Sequence, residues 1–128
     1  MINKMILDVE AFHRATDTPV GACPCIPSDQ RMEVRETLLV EEFDELMRGM
    51  ANYDLTNIAQ ELVDLIYVTI GTALELGIPL QKVWDEVQRA NMSKVDPVTG
   101  KVRKREDGKV LKPDGWQKPD VHSVLWEG

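Results

Sequence analysis

Apolar residues recur at three- and four-residue steps through most of the first 92 positions, which is the period of an amphipathic helix. The first such segment spans Ile2 to Ala15, and the run Asp17-Thr18-Pro19 predicts its end. Ser28 is placed to cap a second helix that runs to about Arg48, where Gly49 and Asn52 loosen its end. The pattern therefore predicts two helices joined by a loop that contains prolines.

A third helix is the most apolar segment of the chain, and either Asp54 or Thr56 can cap its start. Because its apolar residues cover most of its circumference, we expect it to be central and mostly covered. Gly77 suits the left-handed position that ends a helix, and Pro79 predicts the start of a fourth, from Leu80 to Met92. The residues of this fourth helix that we expect to face inward are Val83, Trp84 and Val87.

After Lys94 the chain becomes polar and is interrupted by glycine and proline. The pair Asp107-Gly108 favours a tight hairpin, and Asp120 is placed to cap a last short helix, Val121 to Trp126. Apolar residues within this stretch, Trp116 among them, indicate that it packs on something and is not disordered. We therefore divide the chain into a helical domain, residues 1–93, and a C-terminal tail, residues 94–128.

The net charge of −7 is unevenly distributed. Residues 1–93 carry 7 basic and 16 acidic groups, whereas residues 94–128 carry 8 basic and 6 acidic groups. The acidic domain argues against nucleic acid or a membrane as a partner. No apolar run approaches the roughly 20 residues of a membrane span, and the N-terminus lacks a signal-peptide core. We expect a cytosolic protein, with a tail that either covers a metal-held anion or is only a solvated loop.

Two groups of carboxylates lie at helical spacing, Glu41-Glu42-x-x-Glu45 on the second helix and Glu61-x-x-Asp64 on the third. A short connection predicts that these helices run antiparallel, so the two groups can face each other. Unpaired carboxylates that converge between helices repel, and a hard divalent cation such as Mg²⁺ or Mn²⁺ removes that repulsion. The alternative is a non-enzymatic helical partner-binding domain whose acidic residues form a solvated face.

The first loop contains Cys23-Pro24-Cys25. Two cysteines supply half of a zinc site, and the sequence has no second pair. A disulfide between residues so close would be strained. We interpret the segment as a loop with two free thiols.

The spacing Glu41-Glu42-x-x-Glu45 with Glu61-x-x-Asp64 resembles the metal motif of the MazG-type, all-α nucleoside triphosphate pyrophosphohydrolases. The similarity extends over about residues 9–121 and is closest to the short, single-domain branch, which includes bacterial dUTP-hydrolysing and phage dGTP-hydrolysing members. The strings that carry it beyond the metal motif are Phe12-His13-Arg14-Ala15, Arg89-Ala90-Asn91-Met92-Ser93-Lys94 and Gly108-Lys109-Val110-Leu111-Lys112-Pro113-Asp114-Gly115-Trp116.

The resemblance implies an all-α, four-helix MazG-like bundle with an irregular C-terminal tail, assembled as a homodimer or homotetramer. Residues 1–93 would be the catalytic domain, and residues 94–128 would pack over the active site or a neighbouring subunit. The implied reaction is the metal-dependent hydrolysis of a nucleoside triphosphate, dUTP or dGTP as leading candidates, to the monophosphate and pyrophosphate. Such a protein would act in a bacterial cytosol, or in the host cytosol if it is encoded by a phage.

The resemblance also assigns residues to roles. Glu41 would activate water, and Mg²⁺ or Mn²⁺ would be held by Glu42, Glu45, Glu61 and Asp64. Asn91 and Lys94 would contact phosphates, while Lys112 and Trp116 would close over the nucleotide. Two assignments stay open on the residues alone: His13 is either a packing residue or close to the nucleotide, and Tyr67 either donates to a phosphate or supports the carboxylates. Relatives often carry His where Gln88 stands, which leaves any pH-dependent contact at that position in doubt but does not affect the metal site.

Overall fold

The computed structural model describes residues 2–127 and is all-α, as predicted. Its elements are α1 (Ile2–Ala15), α2 (Asp29–Ala51), α3 (Leu55–Glu75), α4 (Leu80–Met92), β1 (Arg103–Lys104), β2 (Val110–Leu111) and α5 (Val121–Trp126). The chain divides between Leu80 and Gln81 into two compact units. In the first unit α3 packs against both α1 and α2, so the most apolar helix is the central one.

The helix ends follow from local side-chain chemistry. The hydroxyl of Ser28 accepts the N–H of Arg31 at 3.2 Å and caps α2. The carboxylate of Asp54 accepts the N–H of Asn57 at 3.1 Å, which decides between the two caps proposed for the third helix. Gly77 has a φ of 67°, the left-handed conformation expected after α3. These contacts satisfy N–H groups that a helix leaves free at its first turn.

Helix α2 continues to Ala51 and does not end near Arg48 as predicted. Gly49 is buried, and a Cβ there would lie 3.0 Å from the side-chain amide nitrogen of Asn57 on α3. This glycine therefore allows the two helices to approach closely and does not terminate α2. The left-handed residue that follows the helix is Tyr53, with a φ of 53°.

One face of the α2–α3 pair is open in the single chain. On α3, Leu62, Val63 and Ile66 are 42%, 59% and 46% exposed, so the expectation that this helix is mostly covered is wrong. Trp84 and Val87 of α4, both expected to face inward, are also exposed. Four exposed apolar residues of α2 recur at helical spacing: Val40, Phe43, Met47 and Met50. Within residues 2–127, no single helix is both long and apolar enough to cross a membrane.

The loop between α1 and α2 is attached to the end of α3 through its backbone. The N–H of Gly21 donates to the carbonyl of Leu74 at 2.8 Å, and the N–H of Cys25 donates to that of Leu76 at 3.0 Å. A Cβ on Gly77 would collide with a carbonyl of this loop, so only glycine fits there. Both thiols of the loop are free and exposed, in line with its interpretation as a plain loop.

The second unit contains the tail, which packs on α4. Gly108 has a φ of 88° in the turn between β1 and β2, which confirms the predicted hairpin. The indole N–H of Trp116 donates to the carbonyl of Ala90 at 2.8 Å, and the N–H of Asp120 donates to the carboxylate of Glu86 at 3.0 Å. The tail is therefore ordered by hydrogen bonds to α4. Its separation at residue 94 from a catalytic domain stays a prediction.

Candidate active site

Three carboxylates from two helices converge in the first unit. Glu42 and Glu45 on α2 and Glu61 on α3 each place one carboxylate oxygen within 4.8 Å of the others. Glu42 and Glu45 are one turn apart and share a face of α2, and α3 runs past that face. The structure thus brings together three of the four predicted metal ligands.

The fourth predicted ligand, Asp64, lies one turn beyond Glu61 on α3 and is half-buried. Its carboxylate is not within the set of three, but its charge raises the pKa of both Glu42 and Glu61. Glu41 lies apart from the three because consecutive residues of a helix point about 100° apart. It is exposed and borders a groove on α2.

The electrostatics of the three carboxylates are unfavourable without a cation. Burial, and then the hydrogen bond and charge of Glu45, raise the pKa of Glu61 to about 7. Burial, and then the charge of Glu45, likewise raises the pKa of Glu42. One oxygen each of Glu42 and Glu61 is buried without a hydrogen-bond partner. Between residues 2 and 127, no Lys or Arg forms an ion pair with any of the three.

These observations fit a hard divalent cation. Such ions take carboxylate oxygens as ligands, and two buried oxygens here have their coordination unused. The positive charge would also remove the repulsion that raises the pKa of Glu61. The residues that could hold it are Glu42, Glu45 and Glu61, with Asp64 beside them.

A second polar cluster on the same helix pair was not predicted. Glu75 of α3, whose side chain is 1% exposed, accepts two hydrogen bonds from Arg31 of α2 at 2.5 and 3.0 Å. Arg35, also on α2, lies 3.6 Å from the same carboxylate and donates to the hydroxyl of Thr72 and the carbonyl of Val68. Neither arginine was predicted as part of a site, although their four-residue spacing on α2 is a usable signal.

His13 and Tyr67 lie on α1 and α3, and both contact other parts of the first unit. His13 is buried, and its Nδ1 lies 3.0 Å from the carbonyl of Pro19. A Cβ on Gly71 would lie 2.7 Å from both His13 Nε2 and a guanidinium nitrogen of Arg35, so these two side chains share the space over a glycine. The ring of Tyr67 packs edge to face on Phe12, with centroids 5.8 Å apart. The assignment of His13 and Tyr67 to the nucleotide stays a prediction.

The remaining predicted residues lie together in the second unit. The ammonium of Lys94 is 3.3 Å from the side-chain carbonyl of Asn91, one turn earlier. Lys94 and Lys112 place their ammonium groups 5.2 and 4.5 Å from the centre of the Trp116 ring. The structure therefore forms two groups of candidate residues: the carboxylates of the first unit, and a cationic group around Trp116 in the second.

Comparison with protein families identifies the class of protein. Residues 9–91 match the model of the phosphoribosyl-ATP pyrophosphohydrolase family, a range that contains all the candidate carboxylates. The chain belongs to this family, within the MazG-like all-α nucleoside triphosphate pyrophosphohydrolase superfamily. Membership supports pyrophosphohydrolase activity on a nucleotide, a hydrolysis of an acid anhydride. A comparison with curated proteins finds no significant match.

Proposed function

We propose that this protein hydrolyses a nucleoside triphosphate to the monophosphate and pyrophosphate with the help of Mg²⁺ or Mn²⁺. The observation that carries the proposal is the convergence of Glu42, Glu45 and Glu61, with two buried carboxylate oxygens that lack a partner. A solvated acidic face, as in a non-enzymatic partner-binding domain, would leave those oxygens in contact with water. Buried and unpartnered, they favour a metal centre over that alternative.

In this proposal Glu42, Glu45, Glu61 and Asp64 hold the metal. The metal supplies charge neutralisation on the phosphate oxygens during the displacement. Glu41 is the general base: it is exposed on the next face of α2, where its carboxylate can accept a proton from water. Water adds to the phosphorus next to the sugar, the bond from that phosphorus to the bridging oxygen breaks, and pyrophosphate leaves.

Four residues of the second unit are also proposed to bind the substrate. Asn91 and Lys94 contact the phosphates, and Lys112 and Trp116 close over the nucleotide. This assignment is supported by the positions of both ammonium groups near one indole ring. In the first unit, His13 and Tyr67 are proposed to contact the nucleotide.

The proposed substrate is dUTP or dGTP. This choice rests on the resemblance of the chain to the short MazG-like branch. The family model that matches the chain is named for phosphoribosyl-ATP, which shares the same triphosphate. The test is to incubate the purified chain with each common ribo- and deoxynucleoside triphosphate and with phosphoribosyl-ATP, with Mg²⁺, Mn²⁺ or chelator, and to separate the products. We expect the nucleoside triphosphate of one base to give monophosphate and pyrophosphate, and to do so only when metal is present.

The matched variants for this test are Glu45→Gln and Asp44→Asn. Both remove one negative charge from adjacent positions of α2, but only Glu45 belongs to the three converging carboxylates. We expect Glu45→Gln to abolish turnover and Asp44→Asn to retain it. Release of single phosphate would indicate a different hydrolase, and full activity in Glu45→Gln would exclude this metal centre.

We also propose that the protein is a homodimer or a homotetramer, formed through the open face of the α2–α3 pair. Val40, Phe43 and Met47 are exposed at three- and four-residue steps, the spacing at which one helix packs along another. A second copy would bury this row against the same row. Light scattering after gel filtration tests the proposal: we expect Phe43→Glu to give a monomer, and a wild-type monomer would contradict it.

A further inference from the structure

One face of α3 lies between the two helices that flank it. Helices α1 and α2 both pack on α3 but hardly contact each other. At Gly71 of α3, His13 of α1 and Arg35 of α2 meet over the glycine. Tyr67 and Asp64 come four and seven residues before Gly71 and share its face of the helix. The strip formed by Asp64, Tyr67 and Gly71 therefore runs between α1 and α2.

One end of this strip adjoins the candidate metal centre. Asp64 is close enough to Glu42 and Glu61 for its charge to raise the pKa of both. Tyr67 follows three residues later, about 4.5 Å along the helix axis at 1.5 Å per residue. The far end of the strip is closed by the two buried side chains that meet over the glycine. A nucleotide with its phosphates at Asp64 and its base directed along the strip therefore reaches Tyr67 first.

Phe12 of α1 stands beside Tyr67 and leaves much of its own ring open. The two rings pack edge to face, with centroids 5.8 Å apart and planes at 75°. Phe12 is nevertheless 54% exposed, although its helix packs against α3. Its backbone is fixed, because its carbonyl accepts the N–H of Thr16 at 3.0 Å and the next residue, His13, is buried. An aromatic surface is therefore held in place and open to solvent at the edge of the strip.

An exposed aromatic surface at this position suits a nucleobase. Bases stack on aromatic side chains, and the contact serves any base because every base has a π-face. The sugar and the phosphates of a nucleotide have no such face. A residue that serves only to pack α1 on α3 would be covered, as Val9 of the same helix is at 2% exposed.

We propose that Phe12 is the residue on which the nucleobase of the substrate stacks, and that Tyr67 is a positioning residue that holds the Phe12 ring next to Asp64. The inference rests on the proposed function and deepens it, since it concerns the same substrate and names the side chain that contacts its base. It gives the site a preference for a nucleotide over a polyphosphate without a base.

The experiment is a calorimetric titration of the full chain in Mg²⁺ with two kinds of ligand. The first is the α,β-imido analogue of dUTP and of dGTP, in which the bond to be broken resists hydrolysis. The second is inorganic tripolyphosphate, which has no base. We expect Phe12→Leu to bind the better analogue roughly tenfold more weakly, the size of one base–aromatic stack, and to bind tripolyphosphate as the wild type does. Phe12→Tyr keeps the ring and should keep the preference for the analogue.

The matched control is Phe43→Leu. It makes the same substitution at a phenylalanine of similar exposure, 51%, on α2, and it keeps an apolar side chain on the open face of the α2–α3 pair. We expect the ratio of the two affinities to stay at the wild-type value in this variant. A loss of folding or of bound metal would weaken both ligands together, so the ratio isolates the contact with the base.

The role of Tyr67 is tested by Tyr67→Leu and Tyr67→Phe. Both remove the hydroxyl, but only phenylalanine keeps a ring against which Phe12 can pack. We expect the preference for the analogue over tripolyphosphate to fall in Tyr67→Leu and to persist in Tyr67→Phe. An equal preference in the two variants would show that Tyr67 does not position Phe12.

The remaining outcomes separate this inference from the proposed function. If Phe12→Leu binds the analogue as tightly as the wild type, or loses affinity for both ligands equally, the base does not stack on Phe12, whereas metal-dependent turnover still stands. If Phe12→Leu changes the mass measured by light scattering and leaves the ratio unchanged, the ring contacts another copy, and the inference is overturned. If neither ligand binds the wild type in Mg²⁺, the proposed function fails and the inference fails with it.

Discussion

Each end of the α2–α3 pair buries a glutamate of α3, but the charges around the two glutamates are opposite in sign. At one end, Glu75 is buried and its carboxylate is paired with Arg31 and Arg35 from the facing helix. At the other end, Glu61 is buried to a similar degree but faces two more carboxylates and no cation among the described residues. One end carries its counter-charges within the chain, and the other has no ion pair among the described residues.

In the proposed function, this difference separates a structural cluster of charges from the metal centre. A buried carboxylate with its own arginines is satisfied in the free protein and favours one register of the two helices. A group of carboxylates with unpartnered oxygens is destabilising unless a proton or a cation neutralises it, and in the proposed function a divalent cation would do so. Burial alone does not distinguish the two clusters. The sign of the charge on the facing helix does.

The largest expected effect is a loss of activity when a carboxylate is neutralised at the unpaired end, the end of the α2–α3 pair that contains Glu42, Glu45 and Glu61. Glu61→Gln should lower kcat by on the order of 10²- to 10³-fold, the loss that follows removal of one electrostatic group from an active site. The same change should raise the melting temperature in chelator, because a neutral amide replaces a carboxylate that its neighbours repel. Turnover near the wild-type rate, or a large fall in melting temperature, would contradict the assignment of Glu61 to the metal centre.

Neutralising the paired end should affect stability instead. Glu75→Gln leaves the buried guanidinium of Arg35 without its counter-charge, and we expect a loss of about 3–5 kcal/mol in the free energy of unfolding, as for other broken buried pairs. Denaturant titration measures it. Arg31→Met, at the more exposed edge of the same cluster, should cost less and serves as the milder variant if Glu75→Gln does not fold. Equal and small losses in both would mean that this cluster does not hold α2 to α3.

Much of the fold was predictable because helix ends depend on neighbouring residues. The caps at Ser28 and Asp54 and the left-handed Gly77 follow from side-chain and backbone chemistry within a few residues. The end of α2 was not predictable, since Gly49 is explained by the helix packed against it and not by its own segment. The open apolar face was missed for a related reason: periodicity shows which residues avoid water, but not whether the same chain or another copy covers them.

The candidate site was predictable only where residues of one chemical type, the carboxylates, recur at helical spacing. Five carboxylates on two helices are conspicuous, whereas Arg35 and Glu75 look like ordinary members of polar stripes. In an antiparallel pair, the register that places residue 45 opposite residue 61 also places residue 31 opposite residue 75. Applying that register along the whole of α2 would have revealed the second cluster. The two lysines near Trp116 lie just after α4 and just after β2, and no periodicity relates them.

A divalent metal should stabilise the unpaired end and leave the paired end unchanged. Binding to the folded state alone stabilises it by about 2.7 kcal/mol at a metal concentration one hundred times the dissociation constant. We expect Mn²⁺ or Mg²⁺ to raise the melting temperature of the wild type and of Arg31→Met to the same extent. The rise should disappear in Glu45→Gln and persist in Asp44→Asn. A metal effect that survives in Glu45→Gln would place the ion elsewhere.

The smallest expected effect is a pH dependence of stability in the absence of metal. Burial and neighbouring charges raise the pKa of Glu61 from its ordinary value of 4.5 to about 7. Between these values the folded state binds more protons at this group than the unfolded state does, so its contribution to the free energy of unfolding falls as the pH rises from about 4.5 to about 7. The difference in the free energy of unfolding between Glu61→Gln and the wild type, measured in chelator, should therefore increase over this range. Saturating metal should remove the increase, because bound metal keeps the carboxylate ionised. A difference that stays constant with pH would show that Glu61 is ionised in the metal-free protein and that its neighbours do not repel it as strongly as their spacing indicates.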